Sequence, residues 1–350
     1  MKPDVSNTQP VIDPRLMRIL ACPRCHSGLR LNGRGLFCNA GHRFPVIDGV
    51  PVFIIPEAEQ TISVALASHD AANNGFGSPL YVETLGLSGA ERREIDKRWA
   101  EKGAADRIDP VISYLVGATS GLGYKKLVGR MADYPIPRIP TGPGEGQFLL
   151  DLGCGWGRWS ISAARNGWNV VGIDPSLGAL MAARRAFKGE PGVMFACGDA
   201  RFLPFRSDAF RSVFSYSVLQ HFSEKDAERA LAEAGRVLQR GGASHIQMAH
   251  LGGLRARYVL SRPGYEKAGV FRVRYWSLDS LRTVFGERIG RSVLVPEAFG
   301  GLGLLFEDWR HVSTGAKFLI AVSEFLKRFT RYFQPLIRLA DSVFVVSVKS

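Results

Sequence analysis

The sequence predicts an α/β fold, with a doubly wound parallel sheet that follows a small cysteine-containing ribbon. Strand-like and helix-like segments alternate over residues 147–250, as they do in βαβ units. Three cysteines and two histidines are grouped within residues 22–42, although one of them, His26, lies too close to Cys25 for both to bind one metal easily. The chain has 350 residues, of which 46% are hydrophobic, so it can bury a sizeable core. Disordered, collagen-like and small disulfide-stabilised classes are therefore excluded.

The charge balance predicts an anionic partner. There are 45 Lys and Arg against 32 Asp and Glu, a formal net charge of +13. The chain has no run of 18 apolar residues, and its polar start has no signal-like apolar stretch, so we expect no transmembrane helix and no secretion signal. Five cysteines form no disulfide framework. We therefore expect a cytoplasmic protein with reduced thiols.

Composition changes along the chain predict its organisation. Pro56 closes the Cys- and Gly-rich part, and a segment with four Pro and three Gly over residues 134–146 is typical of a linker. The last hundred residues hold 16 Lys and Arg against 8 Asp and Glu. The predicted parts are a tail (1–20), a ribbon (21–56), a helical lid and linker (57–146) and an α/β domain (147–350) whose segment 251–350 faces the substrate.

The cysteine spacing predicts a zinc site. Cys22-x2-Cys25 places two thiolates on one metal ion, and Cys38-x3-His42 supplies a second knuckle across a hairpin. A ribbon of this size has little core and needs a metal to hold it folded. Four protein ligands leave no open position, so the zinc is expected to be structural. The alternative is a cysteine-bearing hairpin without metal.

A glycine-rich loop predicts a nucleotide site. The strand-like residues 148–150 lead into Asp151, and Gly153, Gly155 and Gly157 follow before a helix-like segment. Glycines let the backbone approach a ligand closely. A second strand ends in Asp174, 23 residues after Asp151, where an acid typically accepts hydrogen bonds from ribose hydroxyls. A dinucleotide loop would have a third glycine at the place of Arg158.

Five segments in order carry a family resemblance: LDLGCGWGRWS, GIDPS, GDARFLPF, SYSVLQHF and RVLQRGG. They resemble class I S-adenosylmethionine-dependent methyltransferases, most of all the small-molecule enzymes typified by ubiquinone and menaquinone biosynthesis. The resemblance implies a Rossmann-like sheet that binds S-adenosylmethionine. It places the methionine part at the glycine loop, the ribose at Asp174 and the adenine at Asp199. The implied cofactor-binding residues are Asp151, Gly153, Cys154, Gly155, Gly157, Asp174, Pro175, Asp199, Ala200 and Ser215.

The ribbon carries a second resemblance. It is similar to the small zinc-ribbon protein that activates several tRNA and protein methyltransferases, joined here to the same chain. A Cys3His ribbon also resembles the N-terminus of ribosomal RNA guanine methyltransferases. One departure from the main family is Arg211, which stands where an Asp is frequent, but that Asp is not usually a cofactor ligand.

Methyl transfer from a sulfonium is an in-line displacement, so the enzyme chiefly positions the donor and the acceptor. A base is needed only when the acceptor must lose a proton. His221 is the best candidate, with Tyr216 as a second, and the alternative is a structural loop histidine. The segment FRVRYWSLDSLRTVF (271–285) could bind an anionic or ring-bearing acceptor or be an edge strand with solvated charges. The candidate substrate-side residues are Gln220, Arg274, Tyr275 and Trp276.

A basic amphipathic helix is predicted near the end of the sequence. Phe318, Val322, Phe325, Phe329, Phe333 and Leu336 form one stripe, and Pro335 should kink the helix. Residues 316–338 could therefore lie on an anionic membrane. The alternative is that the stripe packs on the core.

The function predicted is methyl transfer to an anionic small-molecule, lipid-linked or glycan-linked acceptor, with S-adenosylmethionine as cofactor and structural zinc. An rRNA or tRNA methyltransferase is the alternative enzyme, because the chain is basic and carries a ribbon. SYSVLQHF lacks the Asn-Pro-Pro-aromatic signature of many base-amino methyltransferases, which makes RNA the weaker alternative. A methyltransferase-like binding module is the non-enzymatic alternative.

Overall fold

The computed structural model describes residues 12–33, 35–102, 108–119, 124, 128–262, 273–301 and 305–350. Residues 1–11 of the predicted tail and residues 271–272 of the predicted substrate segment lie outside these ranges. The first part is a short helix followed by a four-stranded antiparallel sheet. Asp13 caps the helix by accepting the Arg15 backbone N–H at 2.8 Å. The elements are α1 (Pro14–Ile19), β1 (Leu29–Asn32), β2 (Gly35–Cys38), β3 (Arg43–Ile47) and β4 (Val50–Pro51).

Three helices follow in the segment predicted as a lid: α2 (Val64–Asn74), α3 (Gly89–Lys102) and α4 (Pro110–Thr119). Ser88 and Glu91 form a capping box at the start of α3, because the Ser88 backbone N–H donates to Glu91 at 2.8 Å. A 3₁₀ turn at Val82–Thr84 connects α2 to α3. The Pro-rich stretch over residues 134–146 forms neither helix nor strand.

The second half of the chain alternates strands and helices as predicted. Its elements are β5 (Phe148–Leu152), α5 (Arg158–Arg165), β6 (Asn169–Asp174), α6 (Leu177–Ala186), β7 (Val193–Cys197), β8 (Phe210–Ser215), α7 (Glu224–Val237), β9 (Leu238–Ala249), α8 (Leu254–Leu260), α9 (Leu278–Arg288), β10 (Gly290–Ala298), α10 (Thr314–Phe329) and β11 (Ser342–Lys349). Ser223 and Ser277 cap α7 and α9. Further 3₁₀ turns lie at Leu219–His221, Phe306–Arg310 and Gln334–Leu339.

The seven large strands form one sheet in the order β10-β11-β9-β8-β5-β6-β7. The strands β7, β6, β5, β8 and β9 are parallel, and β11 runs antiparallel between β9 and β10. The chain adds β6 and then β7 on one side of β5. It then crosses back and forms β8 on the other side of β5. A crevice at such a switch point, beyond the carboxyl ends of the strands, is where open α/β sheets bind ligands. The predicted doubly wound fold class is confirmed.

The ribbon is joined to the large sheet by backbone hydrogen bonds. The Phe53 N–H donates to Cys197 O at 2.7 Å, at the exposed edge of β7, and Val52 pairs with Cys197 in a parallel bridge. A second hydrogen bond joins the end of α1 to the segment before β8, where the Arg206 N–H donates to Ile19 O at 2.9 Å. Apolar residues of the ribbon and of the sheet belong to one buried cluster. The N-terminal part therefore covers an edge that would otherwise expose unpaired backbone groups.

Two boundaries predicted from the sequence are wrong: the end at Gly241-Gly242 of the helix that begins after Ser223, and the kink at Pro335. The Gly241-Gly242 pair does not end α7, which stops at Val237 and passes directly into β9. The glycines lie inside β9, where its register with β8 shifts. Pro335 does not kink a long helix, because α10 ends at Phe329 and the proline begins a separate 3₁₀ turn. Among the residues described, no helix is long and apolar enough to cross a membrane.

Candidate cofactor site and cysteine cluster

The glycine loop lies at the switch point between β5 and β8. The N–H groups of Gly153 and Cys154 both donate to Ile173 O, at 2.8 and 3.0 Å, which ties the loop to β6. Gly153 has a φ of 75°, and a Cβ there would lie 2.3 Å from the Val218 side chain, so only glycine fits. Gly155 has a φ of 52° and faces open space with no atom within 4 Å of a Cβ position. The loop therefore presents bare backbone to whatever binds in the crevice.

Asp174 closes β6 beside this loop. Its carboxylate accepts the Gly155 N–H and the Ser176 N–H, both at 2.9 Å. Burial raises its pKa to about 6, although both backbone hydrogen bonds favour the charged form. A carboxylate has about four lone-pair positions, so about two remain for further donors. The assignment of the ribose hydroxyls to these positions stays a prediction.

Asp151 and Asp199 are both nearly buried beside the same crevice. Asp151 accepts the Ser160 Oγ hydrogen at 2.6 Å, which holds α5 on the loop, and burial raises the Asp151 pKa to about 7. Asp199 lies just beyond β7, where the Arg201 guanidinium reaches it at 2.7 Å. Arg201 also reaches Asp226 at 2.8 Å. Direct ligand contact by either aspartate stays a prediction.

Ser215 and Tyr216 follow β8 at the same edge. The Ser215 hydroxyl donates to Leu152 O at 2.8 Å, which joins the ends of β8 and β5. The Tyr216 hydroxyl donates to Glu297 at 2.9 Å, and burial raises the pKa of both groups. This pair is a buried hydrogen-bonded unit, so Tyr216 is poorly arranged to lose a proton. The pattern around Tyr216 gave no signal for Glu297, which comes from a strand 81 residues away.

The substrate-side residues predicted from the sequence are brought together. The Arg274 N–H donates to Gln220 O at 2.7 Å, and its guanidinium donates to His221 O at 2.7 Å. Trp276 continues the same segment and pairs with His250 at the end of β9. Tyr275 lies between them and is half-buried. The carboxyl ends of β8 and β9 therefore carry Gln220, His221, Arg274, Tyr275 and Trp276 as one group.

The Gln220 side-chain oxygen and the Trp276 ring nitrogen of this group are buried without a hydrogen-bond partner among the described residues. The Gln220 amide nitrogen donates to Ser217 at 2.8 Å, so the side chain is oriented with its oxygen left over. A buried acceptor and a buried donor that lack partners are costly unless a ligand or water completes them.

The predicted zinc ligands converge. Their ligand atoms all lie within 4.8 Å of one another. His42 Nδ1 is 3.4 Å from Cys22 Sγ and 3.3 Å from Cys38 Sγ, and the Cys25 and Cys38 sulfurs are 3.8 Å apart. A tetrahedral zinc with Zn–S of about 2.3 Å and Zn–N of about 2.0 Å has edges of about 3.5 to 3.8 Å. The donor set and its spacing therefore fit a closed four-ligand site.

Comparison with known proteins is consistent with this geometry. Residues 149–242 match the family model described as a methyltransferase domain. A demethylmenaquinone methyltransferase of Thermobifida fusca is 38% identical over 110 residues, covering 31% of this chain and 46% of that protein. An O-methyltransferase of Pyrenophora dematioidea is 31% identical over 113 residues, covering 31% and 41%. The chain thus spans less than half the length of these relatives.

Two solved structures show a weaker similarity to this chain. One is Haemonchus contortus phosphoethanolamine N-methyltransferase 2 with phosphomonomethylethanolamine and S-adenosylhomocysteine, at TM-score 0.42 and 21% identity, covering 60% of this chain and 50% of that one. The other is from the complex of the Haloferax volcanii Trm112 methyltransferase activator with a methyltransferase, at TM-score 0.43 and 19% identity, covering 72% and 96%. Both TM-scores are below 0.5, so the evidence for the fold is the strand order of the sheet itself. The match to a methyltransferase domain covers residues 149–242, the segment that forms the parallel strands of the sheet from β5 to the start of β9.

Proposed function

We propose that this chain transfers a methyl group from S-adenosylmethionine to an acceptor bound at the carboxyl edge of the sheet. The observation that carries the proposal is the pairing of the open cradle at Gly155 with the two free lone-pair positions of Asp174. Relatives named as demethylmenaquinone and O-methyltransferases support the same class of reaction.

The residues around the crevice divide the task of holding the cofactor, which would supply an electrophilic methyl group on a sulfonium. The loop from Gly153 to Gly157 takes the methionine part against bare backbone. Asp174 accepts the ribose hydroxyls, and its negative charge also favours a nearby cation. Asp199 and Ala200 line the place for adenine beyond β7.

In the reaction, a lone pair of the acceptor forms a bond to the methyl carbon while the carbon–sulfur bond breaks. The electron pair of that bond stays on sulfur, and S-adenosylhomocysteine is the product that leaves. An acceptor O–H or N–H then loses its proton, either to His221 or to water. The protein supplies alignment and excludes water, which accounts for most of the catalysis in such displacements.

We infer that the acceptor is anionic, and either a small molecule or a group linked to a lipid or glycan. Arg274 is exposed at the substrate side, and the unpartnered Gln220 oxygen and Trp276 nitrogen can take one donor and one acceptor of its polar part. The relatives that act on demethylmenaquinone by name support a ring-bearing, lipid-like acceptor. Transfer into RNA, or no transfer, remains an outcome of the test below.

We also propose that Cys22, Cys25, Cys38 and His42 hold a structural zinc ion. The support is the convergence of the four ligand atoms. The ribbon strands are only two to five residues long, and such short strands rarely hold without further stabilisation.

The test combines cofactor binding with transfer. Calorimetry should show binding of S-adenosylmethionine by the wild type and at least a tenfold weaker affinity for Asp174→Asn, with Asp279→Asn on the exposed start of α9 as the control. Labelled methyl transfer into a cell extract, fractionated into RNA, lipid, glycan and small molecules, then identifies the acceptor class. Folded protein without cofactor affinity would refute the enzyme and favour the binding module. Label in RNA would overturn the acceptor proposal.

A further inference from the structure

The amphipathic helix α10 turns its aromatic stripe away from the protein. Phe318, Phe325 and Phe329 are 69%, 65% and 46% exposed. The opposite face is the packed one, where Ile320 is buried and Ser323 accepts the Phe299 N–H at 3.0 Å. The stripe that could have packed on the core therefore faces solvent over the whole length of the helix. A helix that leaves so much apolar area exposed marks an interaction surface.

Neighbouring elements extend this apolar surface. The 3₁₀ turn before α10 exposes two aromatic rings, the segment after it exposes two more, and α8 with its preceding turn exposes a tyrosine and three leucines. The Arg255 N–H donates to Asp341 at 2.5 Å, so α8 is fixed beside the chain that follows α10. The exposed residues are Leu251, Leu254, Tyr258, Leu260, Phe306, Trp309, Phe318, Leu319, Val322, Phe325, Phe329, Tyr332 and Phe333. Together with the arginines given next, we call them the C-terminal basic surface.

The charges on this surface have one sign. Within residues 251–262 and 305–341, seven arginines are exposed and no acidic residue is. The four acids there are buried or partly buried: Asp308 is paired with Arg158, Glu324 with Lys327, Glu307 accepts the Arg138 backbone N–H at 3.2 Å, and Asp341 is fully buried. The exposed bases are Arg255, Arg257, Arg262, Arg310, Arg328, Arg331 and Arg338.

On α10 itself, basic side chains border one side of the stripe. At 100° per residue, Lys317 and Arg328 lie about 90 to 110° around the helix from the centre of the stripe, both in the same direction. The Lys317 ammonium lies 5.9 Å from the Trp309 ring centre, so base and aromatic group also meet across two elements. An apolar stripe bordered by basic side chains is the pattern of helices that lie in a membrane interface.

The C-terminal basic surface lies at the edge that carries the cofactor site. β9 and β10 are parallel to β5 and β6, so Ala249 and Ala298 end at the same edge as Leu152 and Asp174. The chain enters α8 just after Ala249, and the Asp341 N–H donates to Ala298 O at 2.8 Å. A body that docks on this surface would therefore meet the carboxyl edge of the sheet.

We propose that the C-terminal basic surface docks on an anionic lipid bilayer. Arginine side chains attract anionic headgroups, while phenylalanine, tyrosine and tryptophan side chains settle at the boundary between headgroups and acyl chains. A symmetric contact with a second copy would bring seven arginines against seven arginines, which repel. An acidic protein partner would satisfy the charges but needs a matching apolar groove for rings that project from several separate elements.

One consequence rests on the proposed function. If the sheet edge faces the bilayer, then an amphiphile held in the membrane can reach the crevice without leaving the lipid. The acceptor class narrows accordingly to a lipid or a lipid-linked group. Vesicle binding itself requires no methyl transfer, so failure of this proposal and failure of the proposed function are distinguishable.

The test is vesicle co-sedimentation of the full chain. Vesicles of phosphatidylcholine alone are compared with vesicles that contain about one-third phosphatidylglycerol. The wild type should bind the anionic vesicles at least tenfold more tightly, and added salt should weaken the binding. The double variant Phe318→Ser and Phe325→Ser should bind the anionic vesicles at least tenfold more weakly than the wild type, both at low salt and with added salt. Arg328→Glu with Arg331→Glu should abolish the preference for anionic vesicles.

Arg291→Glu with Val293→Ser is the matched control, because both residues are exposed on the edge strand β10, outside the surface. It should bind vesicles as the wild type does. Calorimetry with S-adenosylhomocysteine, together with circular dichroism, checks that every variant is folded. Equal binding to both kinds of vesicle, or none by folded protein, would overturn the proposal. So would a dimer in sedimentation that the phenylalanine variants convert to monomer without any vesicle binding.

Discussion

Asp174 is the residue whose protonation should set how tightly the cofactor binds. Burial raises its pKa to about 6, above the value near 4 of a free aspartate. Above this pH the carboxylate is charged and accepts two ribose hydroxyls, and below it one oxygen carries a proton and loses acceptor capacity. We therefore expect the dissociation constant of S-adenosylmethionine to rise as the pH falls from 8 to about 5. Calorimetry at several pH values measures this directly.

Asp174→Asn provides the comparison for this prediction. Asparagine keeps the shape but has no charge to lose, so its weaker affinity should vary little over the same pH range. Asp151, whose pKa is about 7, is not the residue to which we assign the ribose, so Asp151→Asn should retain the pH dependence near 6. A wild-type affinity independent of pH would contradict the role given to Asp174.

Gly155 should be required for cofactor binding and dispensable for folding. A Cβ there would meet no protein atom, so Gly155→Val removes no packing. The side chain would instead fill the cradle, and a β-branched residue is strained at a φ of 52°. We expect at least a tenfold loss of cofactor affinity, with an unfolding temperature lowered by a few degrees at most.

Gly286→Ala is the matched control for Gly155→Val. Gly286 is exposed on α9, and a Cβ there also meets nothing within 4 Å, but its φ is not positive. Alanine should leave cofactor affinity unchanged and stabilise the helix slightly. Normal affinity in Gly155→Val would show that the crevice lies elsewhere.

Single residues were predictable where residues that are close together in the sequence are also close together in the structure. The turn after β5 and the two cysteine knuckles are local, so the glycine loop at Gly155, the end of β6 at Asp174 and the grouping of the three cysteines with His42 were predictable from the sequence. Glu297 and Asp308 could not be predicted, because their partners Tyr216 and Arg158 are 81 and 150 residues away. No local pattern encodes a contact of that separation.

At the scale of elements, a buried ion pair joins α5 to the turn before α10. Arg158 donates to Asp308 at 2.6 Å and to Pro135 O at 2.8 Å, and both charged side chains are almost fully buried. Arg158→Met leaves Asp308 charged and unpaired in the interior. Removing one partner of a buried pair typically costs about 3–5 kcal/mol, and we expect a loss in that range in the free energy of unfolding.

Arg165→Met, at the other end of α5, is the control. Arg165 pairs with Glu190 but is half exposed, so its loss should cost less than about 1 kcal/mol. Urea denaturation followed by fluorescence measures both variants. Equal small losses would mean that the Arg158 pair does not hold α5 to the C-terminal segment.

The type of each helix or strand was easier to predict than the residues at which it begins and ends. The helix signal of α7 comes from Ala and Leu at helical spacing, and its start at Ser223 follows from capping. Its end does not follow from Gly241-Gly242, because the pairing of Leu238 with Phe210 of β8 extends β9 back to Leu238. Tertiary pairing overrode the local turn signal. In α10 the period predicted the stripe but not which face would pack.

At the scale of the whole molecule, the ribbon and the α/β sheet share one hydrophobic core. Leu16, Leu36 and Phe44 belong to the same buried cluster as Leu150 and Val213. The sequence predicts both parts. Residue 56 marks a change in composition between them, but it does not separate two hydrophobic cores. Since neither part closes its core alone, we expect the two to unfold together.

Removal of zinc should therefore destabilise the entire chain and weaken the cofactor site. The ribbon bonds to Cys197 through the Phe53 N–H, and Cys197 is two residues before Asp199. Loss of the metal would free that contact and expose part of the shared core.

We expect elemental analysis to find about one zinc per chain. Chelation of the metal, or the variant Cys38→Ser, should lower the temperature of a single cooperative unfolding transition and should also reduce cofactor affinity. Chelator added to Cys38→Ser should have no further effect. Far less than one zinc in folded protein would refute the metal site, and two separate transitions would show instead that the ribbon folds independently of the sheet.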